Sequence, residues 1–229
     1  MDGEVKSPTR DRRALRSART RKAILDAAAA LFAERGYTAT TVDAIADGAD
    51  VAVETVYARF GNKRAILAAY LDVAVVGDLD AVPLLERDEV RVIGAEPDQR
   101  RQIRALARLA RTILERADPA QQALLGAAAA DHSLEELVVI DDQRRRVTHR
   151  AFVEMLRRNG PLRPGLTIDD ATDTYSALSN PATYAFMTRR RGWTADKFEQ
   201  WIGDCWEILL LPPDNEATAP ARNRKRRKP

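Results

Sequence analysis

The sequence predicts an all-α protein, on three observations. Apolar residues recur three and four apart through the long stretches, as with Ile24, Ala28, Leu31 and Phe32. No alternating apolar and polar run of useful length is present, which leaves nothing for a sheet. Helix stop signals punctuate the chain at Gly36, at Asn159-Gly160-Pro161 and at Pro212-Pro213.

The first helix is expected over about 16–35. Gly36 supplies a left-handed end and Tyr37 the apolar contact that accompanies one. Residues 40–63, TTVDAIADGADVAVETVYARFGNK, then hold two short helices around the turn Gly48-Ala49-Asp50. Val42, Ile45 and Ala46 share a face of the first, and Val51, Val56 and Phe60 close over it from the second. The other side of the second helix is left free, which is how such a motif enters a DNA major groove. RAILAAYLDVAVV after Lys63 reads as a connecting helix, and residues 77–98, with Gly77, Pro83, Gly94 and Pro97, read as broken. Further helices are expected at about 98–117, 119–130, 134–158, 168–190 with an interruption at Asn180-Pro181, and 195–211. The last two carry wide apolar stripes: Ala171, Tyr175, Leu178, Ala182 and Ala185 on one, and Phe198, Trp201, Ile202, Cys205, Trp206 and Leu209 on the other. Stripes of that width can face a core on one side and another helix pair on the other.

Gly36-Tyr37, Thr40-Thr41, Ile45-Ala46, Thr55-Val56-Tyr57, Phe60 and Lys63 stand in the order and spacing of one known pattern. The N-terminal third of the chain resembles the DNA-binding end of the TetR, or tetracycline-repressor-like, family of bacterial regulators. The resemblance implies a three-helix helix-turn-helix DNA-binding domain followed by a larger helical ligand-binding and dimerisation domain, whose last two helices pair with a second subunit. With the charge distribution, this divides the chain into a basic flexible arm at 1–15, the DNA-binding domain at 16–62, the ligand-binding and dimerisation domain at 63–211 and a basic disordered tail at 212–229. The chain departs from the pattern in two places. Asp50 stands where glycine is common, and Ala52 replaces a serine that would cap the second helix.

Hydroxyls, a phenol and a cation at a groove rim suit phosphate binding, and Thr41, Thr55, Tyr57 and Lys63 supply them. Positions matching these touch the DNA backbone in the family. Thr40 or Thr41 also reads as a helix cap, and Tyr57 also reads as a core aromatic. Base reading falls to the start of the second helix: Val53 against a thymine methyl, Glu54 accepting from a cytosine amino group, and Arg59 reaching a phosphate or guanine. Glu54 equally suits a helix N-terminus on electrostatic grounds.

Residues 1–23 hold eight Lys/Arg against three acids, and residues 214–229 hold six against two. The chain totals only +3, so its middle is acidic. The motif itself sets Asp43, Asp47, Asp50 and Glu54 against Arg59 and Lys63 alone. Electrostatic affinity must then come from the N-terminal arm, from Arg64 and from a second subunit. No stretch approaches the apolar length of a membrane span, no apolar segment follows the basic start, and the single Cys205 cannot form an internal disulfide. A cytoplasmic protein without membrane contact is expected. Enzyme chemistry finds little support, because His132 and His149 stand far apart and no GxSxG, HExxH, CxxC or phosphate-loop pattern occurs. Neither cofactor nor metal is expected. Phe152, Tyr175 and Tyr184 could line a ligand pocket but read as ordinary core residues. The expectation is a homodimeric regulator, most simply a repressor, that binds double-stranded operator DNA and answers to a small-molecule effector. A ligand-independent architectural DNA-binding protein is the alternative.

Overall fold

The computed structural model describes residues 8–80 and 82–213. Ten α-helices follow one another there: α1 Pro8–Ala39, α2 Val42–Gly48, α3 Val53–Phe60, α4 Lys63–Val76, α5 Asp88–Ala95, α6 Gln99–Ala130, α7 Glu135–Asn159, α8 Ile168–Leu178, α9 Pro181–Ala185 and α10 Ala195–Leu210. No strand occurs among the described residues.

Among the described residues the helices group into two compact units, one from 8–84 with Thr112–Arg144 and one from Leu85–Arg111 with 145–213. In the first, Ile24, Ala28 and Phe32 of α1, Ile45 and Ala46 of α2, and Val56 and Phe60 of α3 are buried together. Ile66, Leu67 and Leu71 of α4 join them, with Leu124 of α6. In the second, Phe152, Tyr175, Phe198, Ile202 and Trp206 form the core. Tyr175 stacks on Trp206 with ring centroids 3.9 Å apart, and Tyr184 meets Phe198 edge-on at 5.0 Å. Burial holds the Tyr175 hydroxyl well above its usual pKa. Phe152, Tyr175 and Tyr184 are therefore packed aromatics of this core. A ladder of ion pairs binds α10 to α6: Arg104 to Asp204 at 2.5 Å and to Glu207 at 2.8 Å, and Arg111 to Asp196 at 2.9 Å. Gly203 permits this approach, because a Cβ there would lie 3.0 Å from the Arg104 guanidinium.

Three expectations need correction. Helix α1 starts at Pro8 rather than Arg16, so residues 8–15 of the expected flexible arm are helical. Proline suits a first turn, and the Ala-, Leu- and Arg-rich run behind it propagates helix. Residues 1–7 of the arm and 214–229 of the tail lie outside the described residues. Next, residues 77–98 contain α5, which buries Val90 and Ile93. Its last carbonyls are satisfied from outside the helix, by Gln102 Nε2 donating to Ile93 and Asn159 Nδ2 to the following Glu96. Third, Pro119 does not split α6. Interior proline costs about 3 kcal/mol, but Ala117, Ala120, Ala123, Leu124 and Ala127 are all buried and hold the helix on course. Gly36 ends the regular run of α1 as expected, at a positive φ of 76 but with ψ 166 instead of the left-handed helical value, and a separate short turn carries the chain on to Ala39. That backbone region is open essentially to glycine alone. The contact between Phe32 and Tyr37 forms as expected, at 5.4 Å between rings. The break at Asn180-Pro181 is present, with Asn180 capping α9 and a π-helical turn at Phe186–Arg190 beyond it.

Candidate nucleic-acid interface

The motif is assembled by local rules. Thr41 opens α2, its Oγ1 accepting from the Ala44 amide at 3.1 Å. Thr40 is buried and donates its hydroxyl to the carbonyls of Gly36, at 2.8 Å, and Leu31, at 3.2 Å. Gly48 lets α2 lie against α1, since a Cβ there would stand 3.3 Å from that of Ala27. The turn then runs through Asp50 in the left-handed region at φ 53, a conformation that aspartate adopts at modest cost. Ala52 precedes α3 without a side-chain cap, as its methyl requires. Gly61, at φ 75, returns its amide to the Tyr57 carbonyl and ends α3, and Asn62 Oδ1 caps α4 through Ala65 at 2.8 Å.

Helix α3 turns Val56 and Phe60 into the core and shows Glu54, Tyr57, Ala58 and Arg59 outward. Tyr57 is 50% exposed, a large area for an aromatic ring with no core role. Thr55 is half-buried at the edge of this face. Three expected site residues sit differently from the sequence reading. Val53 packs against the core of the first unit, on the Val56 side of the helix, so little of it faces outward. Arg59 donates from Nη1 to Ser17 Oγ at 2.9 Å, which holds it against α1. Lys63 donates to the carbonyls of Thr40, at 2.7 Å, and Tyr37, at 2.8 Å, and lies 4.3 Å from the Tyr37 ring centroid. Burial lowers its pKa, an effect that Asp131 opposes.

Sequence reading missed Ala58, which shares the open face, and the pair Ser17 and Arg21 on α1. The Arg21 guanidinium lies over the Phe60 ring at 5.2 Å, so this part of α1 is fastened to the end of α3. Ser17, Arg21, Ile24 and Ala28 form one stripe at helical spacing, and that spacing was the available signal. Thr41→Ala is expected to lower unfolding free energy by roughly 1 kcal/mol through the lost cap. Urea denaturation measures this, and an unchanged midpoint would show that the cap is dispensable.

Residues 24–70, the segment just described, match the family model for bacterial regulatory proteins of the tetR family. Over 155 residues the chain is 31% identical to the HTH-type transcriptional regulator YdeS of Bacillus subtilis (strain 168), covering 67% of this chain and 73% of that protein. The chain belongs to the TetR family. The regulator also shares its fold with solved structures from other bacteria. NalD of Pseudomonas aeruginosa, the secondary repressor of the MexAB-OprM multidrug efflux pump, superposes with a TM-score of 0.61 at 21% identity, over 85% of this chain and 97% of that one. A Saccharomonospora viridis protein in complex with choline does so with a TM-score of 0.60 at 20% identity, over 83% and 97%. TetR-family proteins are transcriptional regulators, not a family of enzymes. Among the described residues no group of three or more His, Cys, Asp or Glu could hold a metal ion, and no helix is long and apolar enough to cross a membrane.

Proposed function

We propose that this TetR-family regulator is a cytoplasmic homodimeric repressor that grips an inverted-repeat operator through α3 and is released by a small molecule bound within residues 63–211. The observation that carries the DNA reading is α3 itself, whose inner face is locked in the core while Glu54, Tyr57, Ala58 and Arg59 stand open. At 1.5 Å per residue its eight residues span about 12 Å, a length that lies along a major groove. Glu54 and Ala58 are placed to meet base edges, and Thr55, Tyr57 and Arg59 to meet phosphates. Val53 packs behind α3, and Thr41 caps α2, on which α3 rests. Release by a ligand and action as a repressor are carried over from the choline-bound neighbour and from NalD, by likeness of fold.

Dimerisation is supported by the outer edge of α10. Phe198, Ile202, Trp206 and Leu210 fill the core, whereas Ile208 is 65% and Leu209 43% exposed, with Trp201 and Cys205 half-buried beside them. A continuous apolar edge of this kind suits a second copy of the same helix pair.

The reading is tested by titrating wild type and Glu54→Ala against an operator and its single base-pair variants. Removing one base contact should relax preference at one position in each half-site while leaving the salt dependence intact. A uniform loss over all sequences would show that α3 presents a different face to the bases.

A further inference from the structure

We propose that Lys63 is a positioning residue for operator reading: its ammonium, seated among the backbone carbonyls of Tyr37, Thr38 and Thr40, fixes the corner between α1 and α2 instead of gripping a phosphate. The inference rests on the operator reading above and gives one of its residues a different task.

An ammonium has three donors. Two are spent on the Thr40 and Tyr37 carbonyls, at 2.7 and 2.8 Å, and the third lies 3.5 Å from that of Thr38. The Tyr37 ring covers the charge at 4.3 Å. These carbonyls lie past the break at Gly36, in the short turn to Ala39 and at Thr40, where no continuing helix supplies their donors, so a cation can gather them. Lys63 is also the first residue of α4, whose own start is capped by Asn62. One side chain therefore ties α4 to the end of α1 and to the residue before the α2 cap. Thr40 Oγ1 closes the same corner from the inside, through Gly36 and Leu31. Whatever tilts this corner tilts α2, and α3 packs on α2 through Ile45, Ala46, Val56 and Phe60. A reading helix needs placement to within about 0.5 Å to keep its contacts.

The test compares Lys63→Met and Lys63→Arg with wild type on a duplex enriched by wild type, over a range of salt. Lys63→Met keeps the stem and removes the charge. It should weaken binding about tenfold or more while the slope of log K against log salt is unchanged. In the free protein the Thr40 amide, bonded to the Tyr37 carbonyl at 3.2 Å, should exchange faster. Lys63→Arg should not restore affinity, because a planar guanidinium cannot place its donors as an ammonium does. A phosphate contact gives the opposite pattern, with a slope shallower by about 0.9 for each lost contact and rescue by arginine, and that pattern overturns the proposal. Should Lys63→Met fold poorly, Tyr37→Leu removes the ring but keeps the charge. The seat then loosens and affinity falls several-fold at constant slope, whereas wild-type or tighter binding overturns the proposal. Wild type binding no duplex would defeat the operator reading by itself. Thr40 exchange would still decide the brace, with unchanged protection in Lys63→Met counting against it.

Discussion

Ile208→Glu is expected to give a folded monomer that has lost roughly 10² to 10⁴ in operator affinity. The side chain is 65% exposed on a helix whose opposite face is fully packed, so the subunit tolerates a charge there. At an interface between two copies the same carboxylate would be buried without a partner, at a cost of several kcal/mol. A monomer presents one reading helix where a dimer presents two, and the second half-site no longer benefits from tethering. Ile202→Glu is the contrast, since Ile202 is completely buried and its charge should prevent folding. Sedimentation and DNA titration on one preparation of Ile208→Glu decide the matter. A folded monomer that binds as tightly as wild type would contradict the dimer mechanism, as would a dimer undisturbed by the substitution at any position of the Trp201, Cys205, Ile208 and Leu209 edge.

Replacing Arg13, Arg16 and Arg19 together with glutamine is the second large effect. All three are exposed on α1, and the helix is fastened to α3 by the Ser17 to Arg59 hydrogen bond and by Arg21 over Phe60. The motif carries four acids against two cations, and one of those, Lys63, is turned inward onto carbonyls. Cations for the phosphates must therefore come largely from α1. Six charges are lost per dimer. If all six meet phosphates the salt slope falls by about 5, and affinity near physiological salt drops by about a hundredfold or more. An unchanged slope would mean that this stretch of α1 is a solvated face.

The fold was legible where structure follows local rules. A cap from the Thr40-Thr41 pair, Asp50 in the left-handed region and the inward set Ile45, Ala46, Val56 and Phe60 are written in spacing and residue type, and the structure takes Thr41 for the cap. Pro119 misled because a strong local rule was overruled by burial of the alanines around it, which only the folded core reveals. Helix α5 was hidden by Gly77, Pro83 and Pro97 around it and Gly94 within it, its evidence reduced to Val90 and Ile93. For the interface, sequence identified which residue types were present but not which way they point. Lys63 reads as a cation free for DNA, yet its donors are directed at Tyr37 and Thr40, while Arg59 stays exposed and gives one donor to Ser17. Such directions depend on the meeting of α1 with α3 and α4, up to 42 residues apart in sequence.

The most direct measurement of the central claim is selection of wild-type protein against a random pool of duplex DNA. Two copies of α3 related by a two-fold axis should enrich an inverted repeat whose half-sites lie about one helical turn, 10 to 10.5 base pairs, apart. Enrichment of single-stranded ligands, or of no sequence above background, would contradict it.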